Sequence, residues 1–462
     1  MENNILKLLK KIKDNGIYWL IVLQPILDII AYFQNDQGMS VAGYIRLMIT
    51  CTLPLYALVK TKKRKKFLSI MALIALFSIM HVLNGFRVGY IDLIQDIKYM
   101  LLVLHMPCVA ISLIFLDIKN IDKQIPRGFL SNFLLITLVV IISYFTGTGN
   151  STYIGYDYGW TGWFLIPNAQ SIILVCLVPF ALYVVIQTGK LWKILALNIL
   201  IACMLIMNGT RTAYYSLFLI SIGYIVYFIF DYFVHKREKF PFTIIGIFFL
   251  VLLSGKILYN VSPRASMDST YYAAREIEQE TLNGLEEKNK DEEENTYEGY
   301  LDKHLVEKFG YDRVINEYGE HPTAITFSDV RLKKRIYAKL IWEESDILTK
   351  MVGFQYPEMQ FKNDNFDLEN DPPAILYYYG YLGAALYVVL FLALFIRIIR
   401  KVFLDFFDTV NLYNFALIST LMLQIAFAFN SGYLLRRPNV SFYLATIVVL
   451  CFQRTKRVEG NI

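Results

Sequence analysis

The stretch VAGYIRLMITCTLPLYALVKTKKRKKFLSIMALIALFSIMHVL (41–83) decides the fold class. Two apolar runs, 41–59 and 67–83, flank the basic cluster KTKKRKK (60–66). Each run approaches the ~20 apolar residues that carry a helix across a bilayer's hydrocarbon core. The lysines and arginine between them mark a short cytoplasmic loop, because such loops retain positive charge. Outward from this helical hairpin the pattern repeats. Twelve runs read as spans, roughly 17–34, 41–59, 67–83, 98–116, 128–147, 165–187, 194–207, 212–230, 243–259, 374–396, 412–430 and 440–452.

The composition agrees. The 462-residue chain is 56% hydrophobic and only 18% charged, against about 45–50% and 25% for soluble domains. Mean hydropathy is +0.43. An ordinary soluble enzyme, a disordered chain and a nucleic-acid-binding module are excluded. Cys51, Cys108, Cys176, Cys203 and Cys451 all fall in apolar runs, with neither disulfide-framework nor metal-type spacing. His81, His105, His235, His304 and His321 are scattered. The reading is an all-α polytopic membrane protein of about twelve transmembrane helices with no metal centre.

Orientation follows from charge. With both termini cytoplasmic, the inner segments are KLLKKIK (7–13), KTKKRKK (60–66), 117–127, 188–193, HKREK (235–239), RIIRK (397–401) and QRTKR (453–457). They hold about 24 Lys and Arg, against about four in the short outer loops. The basic start resembles a secretory signal, but the run after it reads as a retained first helix. Residues 1–259 and 374–462 form the membrane domain, and 260–373 form one large outer segment. That segment opens with an acidic tract, EEKNKDEEENTYEG (286–299), expected to be solvated. SDVRLKKRIYAKLIWEESDILTK (328–350) then reads as a basic amphipathic helix suited to the membrane interface.

Charges inside apolar runs are costly. Asp28 and Arg46 lie at similar depth in antiparallel spans one and two, so they read as a structural ion pair. Asp96 and Lys98 read as interfacial. Asn208, Gly209, Thr210 and Arg211 form an outer turn in which Arg211 opens a helix. A helix N-terminus with a guanidinium suits a phosphate; a snorkelling arginine is the bland alternative. The loop GTGNSTYIGYDYGWTGWFLIPNAQS (147–171) carries aromatic residues that suit an interface belt or sugar stacking. In FDLENDPPAILYYYGYLGAALYVV (366–389), Glu369, Asn370 and Asp371 precede span ten. Acids there gain from the helix dipole, and a carboxylate facing a cavity can accept a proton from a sugar hydroxyl. Gly380 and Gly383 permit close helix approach.

Taken in order, these pieces resemble the O-antigen ligase and polymerase superfamily of bacterial envelope glycosyltransferases. Gly162, Trp163 and Phe164 with Pro167 and Asn168 resemble its glycine–phenylalanine–proline–asparagine stretch. Asn208 to Ala213 resembles its short arginine turn. Ser328 to Arg331, with Met351 to Phe354 after the helix, resembles its outer-loop arginine helix and following glycine. Glu369 to Asp371, with Leu376, Gly380 and Gly383, resembles the segment re-entering the membrane. The resemblance covers roughly 125–395. It implies a GT-C-like architecture and transfer of a glycan from an undecaprenyl-diphosphate carrier to a glycan acceptor, without metal, nucleotide sugar or other cofactor. It implies substrate binding by Arg211, Arg331, Arg335 and Asn168, and catalysis by Asp371 or Glu369.

Ligases of the family often carry a histidine near this position, whereas this chain has carboxylates. The expectation is therefore a polymerase of lipid-linked repeat units for a capsule, exopolysaccharide or teichuronic-acid-like polymer, at the bacterial cytoplasmic membrane. A flippase and a chain-length regulator are the expected protein partners, and no nucleic acid is expected. The alternatives are an O-antigen-type ligase, a lipid-linked glycan transporter or flippase, a peptidoglycan polymerase of the shape, elongation, division and sporulation family, and a membrane scaffold.

Overall fold

The structure, a computed structural model, describes residues 14–34, 40–116, 118–153, 155–156, 158–288, 297, 299–319 and 322–459. The basic segment 7–13, most of the acidic tract 286–299 and His321 lie outside the described residues. What is described is almost entirely helical. The helices in chain order are α1 (Gly16–Gln34), α2 (Val41–Lys60), α3 (Arg64–Val88), α4 (Leu93–Phe115), α5 (Ile121–Thr146), α6 (Pro167–Ile186), α7 (Leu191–Asn208), α8 (Arg211–Val234) and α9 (Phe242–Ile257). They continue as α10 (Pro263–Lys288), α11 (Lys303–Phe309), α12 (Tyr311–Tyr318), α13 (Ala324–Ser328), α14 (Val330–Glu344), α15 (Ile347–Val352), α16 (Asp371–Leu404), α17 (Phe406–Thr409), α18 (Leu412–Asn430) and α19 (Pro438–Glu459). Two short hairpins pair β1 (Asn150–Tyr153) with β2 (Tyr158–Gly162), and β3 (Gln360–Phe361) with β4 (Asp364–Asn365).

Helices stand at all twelve expected span positions, but among the described residues ten are long and apolar enough to cross a membrane. The two that fall short do so for different reasons. α9 has 16 residues, about 24 Å at 1.5 Å per residue, against a ~30 Å hydrocarbon core. α19 has 22 residues, but its last two turns carry Arg454, Lys456, Arg457 and Glu459.

The chain forms two compact units. Unit 1 comprises Met1–Met71, Leu101–Ser266 and Val389–Ile462. Its centre is α6, which is apolar on every side and buried continuously from Ala169 to Leu182. Such a helix belongs inside a bundle, and α5, α7, α8, α18 and α19 all pack on it. Hydrogen bonds join the peripheral helices. Arg46 Nη2 meets Asp28 Oδ1 at 2.9 Å and Gln24 O at 3.0 Å, so the pair expected between the first two spans is present. Asn132 Nδ2 donates to Ile21 O at 2.7 Å and Tyr443 OH at 2.8 Å.

Unit 2 comprises Ala72–Met100 and Met267–Val388. The expected amphipathic helix is here divided into α13, α14 and α15. Asp329 caps α14 by accepting from Arg331 N and Leu332 N, and Asp346 caps α15 by accepting from Thr349 N. The apolar face of α14 does not serve a membrane interface. Ile336, Tyr337, Ala338, Leu340 and Ile341 are buried, and Tyr337 stacks on Phe366 at 4.0 Å between ring centroids. Aromatic pairs add about 0.5–1.5 kcal/mol beyond their burial, so the unit's own core claims this face. Asp96 is likewise not interfacial. It is 2% exposed, bonded through Oδ2 to His81 Nε2 at 3.1 Å and through Oδ1 to Tyr356 N at 3.0 Å. Segment 352–356 is thus fastened to the ends of α3 and α4, with His81 Nδ1 meeting Val352 O at 2.9 Å.

Two glycines allow the backbones of unit 2 to cross. Gly353 has φ +91°, and a Cβ there would lie 2.1 Å from Tyr378 O. Gly380 has φ +65°, and a Cβ there would lie 2.5 Å from the carbonyl carbon of Met351. Gly380 also interrupts the 34-residue α16, which would be about 51 Å long if straight.

Candidate functional site

Of the residues singled out by sequence, Arg331, Arg335, Glu369 and Asp371 belong to unit 2, and Arg211 and Asn168 to unit 1. In unit 2, four basic residues follow the Asp329 cap in the first turns of α14: Arg331, Lys333, Lys334 and Arg335. Arg331 is exposed, and its Nε meets Glu369 Oε2 at 2.7 Å. Lys334 Nζ approaches the other oxygen, Glu369 Oε1, at 3.4 Å. Glu369 therefore serves two cations. Arg335 is exposed and makes no hydrogen bond or ion pair among the described residues. Two residues beyond Glu369, Asp371 opens α16 and is fully buried.

The segment carrying these carboxylates is held from below. Tyr99 OH and Tyr378 OH both donate to Asp367 Oδ1, at 3.2 and 3.0 Å, and Leu368 N donates to Tyr378 OH at 2.8 Å. Tyr99 stacks on Tyr356 at 3.7 Å between centroids. The distance between Glu369 and the cations of α14 is thus set by packed tyrosines rather than by a flexible loop.

Elsewhere in unit 2, ligand atoms of Asp302, His304 and Asp364 lie within 4.8 Å of one another. This is a spacing a divalent cation can use. Lys333 Nζ, however, already meets Asp302 at 2.8 Å, and His304 Nδ1 meets Asp364 at 2.9 Å. Burial pushes the Asp302 carboxyl up, but Lys333 and the backbone amides of Leu305 and His304 outweigh it and hold it below the ordinary value.

In unit 1 the turn predicted from Asn208 to Arg211 is present. Gly209 ends α7 at φ +74°, and Thr210 caps α8 by accepting from Ala213 N. Arg211 is the first, exposed residue of α8. The β1–β2 hairpin braces the turn: Thr152 Oγ1 donates to Asn208 O at 2.6 Å. Asn168 is half-buried, and its backbone carbonyl accepts from Ser171 Oγ. The neighbouring Gln170 does more. Its Nε2 donates to Thr161 O at 2.8 Å, and its Oε1 lies 3.4 Å from Asn208 Nδ2.

Three further arginines stand at this end of unit 1. Arg264 is 4% exposed and donates to Tyr153 OH at 2.8 Å. Arg436 is 2% exposed, and half-buried Arg437 follows it in the loop between α18 and α19. That loop is joined to α8 by Thr212 Oγ1 and Ser431 Oγ, 2.6 Å apart. Sequence reasoning passed over these residues, yet one signal was available. Arg436 and Arg437 occupy a short loop assigned to the outer side, where the charge bias disfavours arginine.

The O-antigen ligase like membrane protein family matches residues 10–454, nearly the whole chain. The chain belongs to this family. Its members are membrane enzymes acting on lipid-linked glycans, and this multi-pass protein is one of them. No curated protein sequence matches the chain.

Proposed function

We propose that this family member polymerises undecaprenyl-diphosphate-linked oligosaccharide repeat units into a cell-surface polysaccharide. The setting is the outer face of the bacterial cytoplasmic membrane, with both termini inside. The observation that carries the reading is the Arg331–Glu369–Lys334 cluster, placed two residues before buried Asp371. It brings cations suited to a diphosphate within two residues of a carboxylate suited to a hydroxyl.

The chemistry is one displacement. The acceptor hydroxyl attacks the anomeric carbon, its proton passes to a carboxylate, and the carbon–oxygen bond to the diphosphate breaks with inversion. The base is assigned to Asp371, buried at the start of α16, or to Glu369 two residues before it. Arg331 and Arg211 are assigned to the charge that grows on the departing diphosphate. These guanidinium groups do what a metal ion does in other transferases, so the reading requires no metal, nucleotide sugar or other cofactor. A flippase that delivers the donor and a regulator of chain length complete the proposed setting. Carboxylates where ligases of the family often have a histidine favour chain growth over ligation.

Reconstitution in lipid tests this. Purified protein with the undecaprenyl-diphosphate-linked repeat unit, a chelator and no nucleotide sugar should give a ladder on a gel. Arg331→Ala should lose about 100-fold or more in rate, the effect of removing one preorganised charge-stabilising group. A single transfer to a different acceptor would assign a ligase. Full activity in Arg331→Ala and Arg211→Ala at normal protein level would refute the assignment of the diphosphate.

A further inference from the structure

His81 and Asp96 are buried in unit 2, with side chains 2% and 3% exposed, and the function above uses neither. We propose that the two share one proton, and that this proton positions the segment bearing Glu369 and Asp371 for transfer. The proposal rests on the reading that those carboxylates serve the transfer, and it makes His81 and Asp96 positioning residues.

The hydrogen-bond partners call for the proton. His81 Nδ1 meets Val352 O at 2.9 Å, and a carbonyl oxygen only accepts, so Nδ1 carries a hydrogen and donates. In a neutral imidazole Nε2 is then a bare acceptor. It lies 3.1 Å from Asp96 Oδ2, and an ionised carboxylate is an acceptor as well. Two lone pairs facing each other at that distance repel, so one proton lies between Nε2 and Oδ2, and the pair has no net charge. The surroundings favour that neutrality. The rings of Phe77 and Tyr379 flank the imidazole, at 6.4 and 5.4 Å between centroids, and an uncompensated buried charge is costly. Burial pushes the Glu358 carboxyl up, and Asp96 acts on it in the same direction. A pair stripped of its proton would set further negative charge beside Glu358.

The proton matters because of what the pair ties down. Asp96 Oδ1 accepts from Tyr356 N at 3.0 Å, so His81 and Asp96 together hold segment 352–356 at both ends. Between those ends Phe354 N donates to Tyr377 O at 3.2 Å, and Gly353 lies against the backbone of Tyr378. Both contacts join the segment to α16, the helix that Asp371 opens. Tyr356 stacks on Tyr99, and the hydroxyls of Tyr99 and Tyr378 both donate to Asp367, two residues before Glu369. Loss of the shared proton turns the attraction at Asp96 into a repulsion and loosens this support.

Two substitutions at one position test this. Asp96→Asn keeps every hydrogen bond without the proton, because the amide oxygen accepts from Tyr356 N and the amide nitrogen donates to Nε2. Asp96→Leu removes them all. Full-length protein in nanodiscs is assayed for transfer of the undecaprenyl-diphosphate-linked repeat unit, and its histidine rings are observed by nitrogen NMR with isotope-labelled histidine. Asp96→Leu should lower kcat by about 100-fold with KM little changed, the effect of a misplacement of about 1 Å. Asp96→Asn should recover most of that loss. The His81 signals, identified by their absence in His81→Gln, should show hydrogen on both ring nitrogens in wild type, or a bare Nε2 together with the infrared carbonyl band of a protonated Asp96. Asp96→Asn should show a bare Nε2 and no such band.

Full kcat in a folded Asp96→Leu would overturn the proposal, and so would an Asp96→Asn as slow as Asp96→Leu. A bare Nε2 in wild type without the protonated-carboxyl band would overturn it whatever the kinetics. Should Asp96→Leu fail to fold, Asp96→Ser, too short to reach Nε2, carries the same comparison. A wild type that transfers nothing would refute the function proposed above, while the ring spectra still decide whether the pair holds its proton.

Discussion

Two arginines, one in each unit, are held in opposite ways. In unit 2, Arg331 faces Glu369 at 2.7 Å, with Lys334 on the second oxygen. In unit 1, Arg437 faces the Tyr433 ring at 4.3 Å, and its Nε has no acceptor among the described residues. A guanidinium paired with a carboxylate is already neutralised, and an incoming anion must displace that carboxylate. A guanidinium resting on a ring keeps its full charge. The backbones differ as well. Around α6, unit 1 packs side chain on side chain, whereas at Gly353 and Gly380 unit 2 crosses main chain on main chain.

The largest expected effect breaks the backbone half of this comparison. Gly353→Ala puts a Cβ 2.1 Å from Tyr378 O at φ +91°. It should cost more than about 3 kcal/mol and abolish folded protein, read as loss of a monodisperse peak and of the melting transition. Gly246→Ala, in α9 with nothing within 4 Å, should leave the melting temperature unchanged or slightly raised. Equal losses at both positions would remove the distinction.

The next effect separates the two carboxylates. Asp371→Asn should lower the transfer rate by about 10²–10⁴, the usual contribution of a general base. Glu369→Gln should change it by less than about tenfold while improving apparent donor affinity, since Arg331 loses its competitor. The reverse order in single-turnover rates would make Glu369 the base.

A smaller effect tests the ring. Tyr433→Leu removes the cation–π contacts of Arg436 and Arg437, worth about 0.5–2 kcal/mol, so the melting temperature should fall by a few degrees. An unchanged melting temperature would mean that the ring adds nothing to the stability of this loop.

The smallest concerns pH. Asp302 is held below its ordinary value by Lys333 and backbone amides. Its contribution to stability is therefore complete above the unfolded carboxyl's pKa of about 3.9 and is lost as pH falls through the lower folded value. Melting temperatures between pH 6 and 3 should fall more for wild type than for Asp302→Asn. Parallel curves would show that Lys333 contributes nothing there.

Much of the site was legible as short motifs, and little of its pairing was. Arg331, Glu369 and Asp371 were each visible, but that Arg331 meets Glu369, 38 residues away, was not. His81 looked like an isolated histidine on an apolar run, yet it joins Asp96 to Val352. Arg436 and Arg437 drew no separate reading, although two arginines in a short loop assigned to the outer side run against the charge bias. α14 read as a membrane-interface helix because its amphipathic period says only that one face seeks an apolar partner. Phe309 and Phe366 supply that partner within unit 2.

The sequence by itself determined that this is an all-α membrane protein, where its apolar helices run, where the turn at Gly209 falls and which segments carry cations and acids. Those properties depend on the transfer of each residue from water to hydrocarbon and on the local geometry of a few neighbours, so they are written along the chain. Only the tertiary structure decided which cation faces a carboxylate and which faces a ring, and that Asp96 is buried rather than interfacial. It also decided that segments near 353 and 380 touch through their backbones. Those outcomes depend on where distant segments cross, and a crossing that requires two glycines at once is a property of the pair, invisible in either one alone.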